Sequence, residues 1–244
     1  MALQPAPVCF AMTGLVSCLT VTKQRLDLLP RAVTCFQRQS YPDRELIVVN
    51  DANDGTEEYV ASLRDEKIVY VRPEQVNLPL GELRNVALVH AHGKYVAQWD
   101  DDDWYHPDRL TAQVMMLEQA EADVCLLERW TLAWPDRNLF LRSKRRPWEG
   151  TMVARRKQLP AYAALSHGED SVFVEDCRQR GQKVCLLDRP DLYLYVVHGR
   201  NTYPLDHFAD NIFNAHTGEL SVEEVADVLQ KLSWGVPHEN LRHG

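Results

Sequence analysis

A chain of 244 residues with 45% hydrophobic side chains can build one sizeable core. Its 35 acidic against 27 basic residues leave a net charge of −8 spread along the sequence, which argues against a nucleic-acid partner. No run approaches the roughly 20 apolar residues that span a bilayer. Cys9, Cys18, Cys35, Cys125, Cys177 and Cys185 form no CxxC pair and read as buried free thiols of a reducing compartment.

The first residues lack a basic stretch and read as the approach to a core strand, not as a signal peptide. The expected location is cytoplasmic, with peripheral attachment to the inner face of the membrane left open. Residues 15–21 (LVSCLTV) make a short, β-rich apolar run, as a buried strand would. LDLLPRAVTCFQRQ follows with helical spacing at Leu26, Leu29, Val33 and Phe36, and Pro30 fits that helix only in its first turn. After the turn SYPD, ELIVVN is a second strand. DANDGTEEYVASL then starts a helix with an Asp or Asn cap. KIVYVRP is a third strand, and LGELRNVALVHAHG is a helix closed by Gly93. KYVAQW is a fourth strand that runs straight into four aspartates. HPDRLTAQVMMLEQAEA is the next helix, with Pro107 near its start.

Strands alternating with helices of this length call for right-handed crossovers and a mostly parallel sheet covered on both faces. Ligands of such sheets bind beyond the carboxyl ends of the strands. Asn50-Asp51 and Asp100 to Asp103 therefore share one rim. Beyond residue 121 the pattern loosens. VCLLERW, NLFLRS, KVCLL and LYLYVV read as strands, and RRPWEGTMVARR as a loop and strand. EDSVFVEDCRQRG reads as a helix ending at Gly181, and LSVEEVADVLQKLSW as an amphipathic helix capped by Ser221. With no linker or repeat, 1–244 reads as one domain. Its parts are a nucleotide-binding half (about 14–120), an acceptor-binding half (about 121–205) and a helical segment (206–244).

The stretch QWDDDDWYHP could be a solvated loop. It follows a buried strand, is bracketed by Trp99, Trp104 and Tyr105, and lies at the ligand rim, so a hard divalent cation, Mn²⁺ or Mg²⁺, is the better explanation. Such a cation would also let an acidic protein hold a phosphorylated ligand.

VSCLTVTKQR, ELIVVNDANDGT, GELRNVALVHAHGKYVAQWDDDDWYHPDRL, HGEDSVFVEDCRQRG and YVVHGRNT, in this order and spacing, resemble a family 2 glycosyltransferase. That family has the GT-A fold, a Rossmann-like α/β arrangement with a smaller mixed acceptor-side half, and uses nucleotide-sugar donors with inversion. The resemblance covers roughly residues 14–205. It implies that Asp100 and Asp102 end a DxD signature around Asp101, with Asp102 on the metal and Asp100 nearer the ribose, while Asp103 caps or orients the segment after it. Asp51, Thr20 and Thr22 would line the nucleotide pocket, and Arg84 would hold the diphosphate or the aspartate loop. Asp54 could take over helix capping from Asp51, Arg25 falls in the same segment as Thr20 and Thr22 or is only a surface helix charge, and Lys94 reads as solvated. Asp170 of the ED pair would be the base, supported by Glu169, although both also suit a helix N-terminus. His198 would be a further metal ligand, and Arg200 would reach the diphosphate. The loop RSKRRPWEG offers Trp148 as a sugar-stacking face, and its basic residues suit either solvent or an anionic acceptor.

The expected partners are a nucleotide sugar, with UDP-sugar favoured, and a glycan, lipid-linked or protein hydroxyl acceptor, with surface polysaccharide synthesis the expected setting. A sugar-phosphate nucleotidyltransferase and a non-catalytic nucleotide-sugar or glycan-binding domain remain the alternatives. VTKQRLDLL lacks the glycine-rich loop that a nucleotidyltransferase would carry.

Overall fold

The computed structural model of the protein describes residues 13–203 and 216–233. The start of the chain with Cys9, and part of the expected 206–244 segment, lie outside the described residues. Strands and helices alternate first as β1 (Val16–Val21), α1 (Leu29–Gln37), β2 (Arg44–Val49), α2 (Thr56–Leu63), β3 (Ile68–Val71), α3 (Leu80–Val89) and β4 (Tyr95–Gln98). Then come β5 (Trp104–Tyr105), α4 (Arg109–Gln119), β6 (Val124–Leu127), β7 (Thr131–Trp134), β8 (Leu139–Ser143) and β9 (Trp148–Arg155). The last described elements are α5 (Glu169–Gln179), β10 (Val184–Leu187), β11 (Tyr193–Val196), β12 (His216–Glu219) and α6 (Val222–Leu232).

A seven-stranded sheet runs β10-β6-β9-β4-β1-β2-β3. Only β9 is antiparallel to its neighbours β4 and β6. Strand periodicity divides its side chains between two cores. Val16 and Cys18 of β1, with Leu46 and Val48 of β2, face the side packed by α1 and α4. Leu19, Ile47 and Val49 face α3 and α5. This is the expected α/β sheet with helices on both faces. A second sheet, β12-β8-β7-β11-β5, stands beside it.

Pro30 falls in the first turn of α1, where its missing N–H costs nothing. Ser221 and Glu224 form a reciprocal capping box on α6. Gly181 follows α5 with a φ of +78°, as a helix stop should. Gly93 does not close α3, which already ends at Val89. A Cβ at Gly93 would lie 2.5 Å from the Tyr95 carbonyl and 2.6 Å from that of Leu15, so this glycine serves close backbone approach. Lys94 is not simply solvated, because its amine pairs with Glu118 at 3.1 Å. Cys18, Cys35, Cys125, Cys177 and Cys185 are free and buried.

VCLLERW is not one strand. The chain leaves β6 at Leu127 and re-forms as β7 in the second sheet, where Leu194 of β11 pairs with Thr131. β5 joins that sheet through Trp104 and Tyr105, opposite Leu194 and Tyr193. The aspartate run is thus the passage from one sheet to the other.

Candidate active site

β2 and β4 flank β1 in parallel, so their carboxyl ends deliver Asp51 and the aspartate run to one rim. The four aspartates then diverge. Asp100 turns toward α3, where Arg84 Nη2 donates to it at 2.9 Å. Asp101 and Asp102 share Arg25 Nη1, at 3.1 and 3.0 Å. Asp102 also meets His198 Nε2 at 3.0 Å, and its carbonyl accepts from Arg31. Asp103 turns inward, accepting the Val196 amide at 2.9 Å and the Tyr193 hydroxyl. It braces β11 and caps no helix.

These surroundings separate the four electrostatically. Burial and the Asp102 charge push the Asp101 carboxyl up to about 7. Burial also opposes ionisation of Asp102, but His198, Arg25 and Arg31 outweigh it and hold that carboxyl below the usual range. Burial and the charges of Asp102 and Asp100 hold Asp103 well above it. Arg25 is therefore no surface helix charge. It precedes α1, its side chain is 22% exposed, and it neutralises two aspartates at once. Beneath the run, the fully buried Arg109 lies against Trp99, Tyr105 and Tyr193 at 4.6–5.2 Å from their ring centres.

Arg84 links the run to the start of α5. Its Nε donates to Glu169 at 2.8 Å, so one guanidinium holds Asp100 and Glu169 together, and that charge pairing keeps it protonated despite burial. Asp170 follows Glu169, and its Oδ1 accepts the Ser171 amide at 2.8 Å. Burial, reinforced by the Glu169 charge, pushes the Asp170 carboxyl up to about 6. Arg84, Asp100, Glu169 and Asp170 all line a cavity of about 550 Å³. Trp148 and Trp130 form one wall, stacked at 4.1 Å, and Tyr195 lies 4.7 Å beyond Trp130. Arg84 Nη1, Gln98 Oε1 and Trp130 Nε1 are buried polar atoms of lining residues with no hydrogen-bond partner among the described residues. Such atoms suit a ligand rich in hydroxyl groups. Arg145 of the basic loop is bound to Glu128 and Asp188, while Arg146 pairs with Glu149 and covers Trp148.

The remaining expected residues lie outside the cavity lining. Asp51 Oδ2 accepts from Lys23 Nζ at 3.3 Å and from the Leu78 amide at 3.2 Å. Asp54 accepts the Thr56 amide at the start of α2, which leaves Asp51 free of that task. Thr20 gives its hydroxyl to the Trp99 carbonyl at 2.7 Å. Thr22 lies beside Asp101 and favours its ionised form, yet among the described residues neither Thr22 Oγ1 nor Asp101 Oδ2 has a hydrogen-bond partner. The Arg200 side chain pairs with Asp27, and its amide donates to His198 Nδ1. Among the described residues no group of three or more His, Cys, Asp or Glu side chains gathers as a metal cage. The Asp102–His198 pair and the under-satisfied Asp101 oxygen nevertheless fit a hard cation that completes its shell with phosphate oxygen and water.

Sequence reasoning undervalued Arg25 and passed over Arg31, Gln98, Trp130 and Tyr195. Only Trp130 carried a visible signal, as a large aromatic at the end of an apolar run. The others acquire their positions through contacts far apart in the chain.

The sequence profile of glycosyl transferase family 2 matches residues 17–168. The putative colanic acid biosynthesis glycosyl transferase WcaA of Escherichia coli K12 is 35% identical over 100 residues, which cover 40% of this chain and 36% of that protein. The putative teichuronic acid biosynthesis glycosyltransferase TuaG of Bacillus subtilis is 36% identical over 110 residues, 43% of each chain. The matched segments thus span less than half of these curated relatives. Among solved structures, S. aureus TarS 1–349 in complex with UDP-GlcNAc aligns with a TM-score of 0.64 at 17% identity, covering 90% of this chain and 66% of that one. The mannosyltransferase PcManGT of Pyrobaculum calidifontis, in complex with GDP-Man and Mn²⁺, gives 0.59 at 18% identity, covering 77% of this chain and 58% of its own. The likeness to these structures establishes a shared GT-A fold.

Proposed function

The chain belongs to glycosyl transferase family 2, and we propose that it moves a sugar from a nucleoside diphosphate donor, most readily a UDP-sugar, to a hydroxyl acceptor with inversion. The observation that carries this reading is the Arg84 bridge. It ties Asp100 of the aspartate run to Glu169, next to Asp170, on the wall of the cavity. A donor-side and an acceptor-side carboxylate are thereby held by one guanidinium.

In this proposal Asp170 is the general base. It takes the acceptor hydroxyl's proton as that oxygen attacks the anomeric carbon. The bond to the diphosphate oxygen breaks on the opposite face, and its electron pair leaves with the nucleoside diphosphate. A carboxyl raised to about 6 is ionised at neutral pH yet more basic than an exposed aspartate. Asp102 and His198 would hold a divalent cation, Mn²⁺ or Mg²⁺, which supplies Lewis acidity for charge on the leaving diphosphate. The Mn²⁺ in the PcManGT complex supports that assignment. Asp51, Thr20, Thr22 and Asp101 are assigned to the nucleoside side, and Arg200 to the diphosphate. Trp148, backed by Trp130, is the platform for a sugar ring, and Glu169 holds Arg84 in place.

Residues 14–120 would then carry the donor and 121–205 the acceptor, although β6, β9 and β10 of the second part complete the first part's sheet. The names of the E. coli and B. subtilis relatives support a place in surface polysaccharide assembly, with lipid-linked or protein hydroxyls as the other acceptor sources. Among the described residues no helix is long and apolar enough to cross a membrane; the proposed setting is the cytoplasm, with peripheral attachment to the inner face of the membrane left open. Family membership disfavours the nucleotidyltransferase alternative.

Asp170→Asn tests the base. Binding of UDP with Mn²⁺ should stay close to wild type while transfer falls about a hundredfold or more. Substantial retained turnover would remove Asp170 from that role. A product of retained configuration would remove single displacement.

A further inference from the structure

Among the described residues one guanidinium, that of Arg25, hydrogen-bonds both Asp101 and Asp102. Arg25 Nη1 contacts both carboxylates, at 3.1 and 3.0 Å, and Arg25 Nη2 donates to the Arg200 carbonyl at 2.7 Å. The Asp102 oxygen it holds, Oδ2, is also the one that meets His198 Nε2. A divalent cation taken by Asp102 and His198 would therefore arrive at an oxygen already held by a guanidinium. Two centres of positive charge at contact distance repel strongly in a partly buried setting. Among the described residues no other arginine or lysine side chain hydrogen-bonds either carboxylate. The Arg200 guanidinium is engaged with Asp27, and Arg31 bonds only the Asp102 carbonyl.

We propose that Arg25 is a built-in counter-ion of Asp101 and Asp102 that the divalent cation displaces, so that the cation binds weakly alone and firmly only with a nucleoside diphosphate. The inference rests on the cation reading above. Entry of a bare cation breaks two charge-assisted hydrogen bonds and leaves a stranded guanidinium beside it. A diphosphate supplies oxygens for the cation and a new acceptor for the guanidinium, for which a planar fork is well suited. Arg25 would thus act as a positioning residue that couples cation and donor binding.

Calorimetric titration with MnCl₂ alone, and again with UDP present, tests this on wild type, Arg25→Gln and Arg25→Lys. Arg25→Gln should bind Mn²⁺ alone about tenfold or more tighter than wild type and gain less from UDP. Arg25→Lys keeps the charge and should stay near wild type. Without Mn²⁺, Arg25→Gln should melt below wild type, and Mn²⁺ should raise its melting temperature by the larger increment. Unchanged or weaker Mn²⁺ affinity in Arg25→Gln, with native circular dichroism, would overturn the proposal. If that variant does not fold, wild type alone still decides: equal Mn²⁺ affinity with and without UDP overturns it. Failure of wild type to bind Mn²⁺ under either condition would instead bring down the cation reading, and the Arg25 role with it.

Discussion

Asp170→Asn should make the protein more stable while disabling it, and the gain should depend on pH. The Asp170 carboxyl rises from an ordinary 3.8 to about 6 in the folded protein. Its folded value lies above its unfolded one, so stability is full below about pH 4 and declines as pH rises through about 6. A rise of that size corresponds to about 3 kcal/mol if the group is wholly sequestered. Asp170 retains some contact with solvent at the cavity wall, which reduces the expected cost to about 1–2 kcal/mol. Asparagine keeps an acceptor for the Ser171 amide and cannot ionise, so it escapes this cost. Urea denaturation at pH 4 and pH 8 checks the claim. The two proteins should match at pH 4, and the variant should exceed wild type by about 1–2 kcal/mol at pH 8, or about 3–6 °C in Tm. A difference that does not change with pH, or a less stable variant at pH 8, would refute the assignment of a strained, ionised Asp170.

Arg84→Met should be costly, because Asp100 and Glu169 lose their shared buried guanidinium; about 3–5 kcal/mol is expected by denaturation. Gly93→Ala forces a Cβ against backbone atoms 2.5–2.8 Å away and should reduce stability by several kcal/mol, whereas a glycine acting only as a helix stop would tolerate alanine with far less loss. Tyr193→Phe removes a donor from buried Asp103 and should cost about 1–3 kcal/mol, read by thermal melting, while leaving nucleotide binding intact. Trp148→Ala should raise KM for the acceptor more than for the donor, with little change in the acid limb of the pH profile, because it strips the cavity wall without touching Asp170.

The order of the first four strands was legible because buried parallel strands are short apolar runs between turns, as in VSCLTV and ELIVV. The shared rim followed from that order. The second sheet was not legible. β5 has two residues, too few to carry a period, and its partner in β11 lies almost ninety residues away. The aspartate run could be located but not divided among its roles. Asp103 differs from Asp102 only because the chain turns there and meets the Tyr193 hydroxyl. Arg25 looked like any helix-flanking arginine, since contacts across 76 and 77 residues define its part. Gly93 misled because a glycine after a helical pattern has the same appearance whether it stops a helix or admits a neighbouring backbone.

The central claim, a cation-assisted nucleoside diphosphate site on the rim joining β2 and β4, meets its most direct test in calorimetric titration of UDP and GDP with and without Mn²⁺. The account predicts saturable binding of one nucleotide, UDP first, that depends on Mn²⁺, is reversed by a chelator and is lost in Asp102→Ala. Binding of neither nucleotide, or binding that Asp102→Ala leaves unchanged, would contradict it.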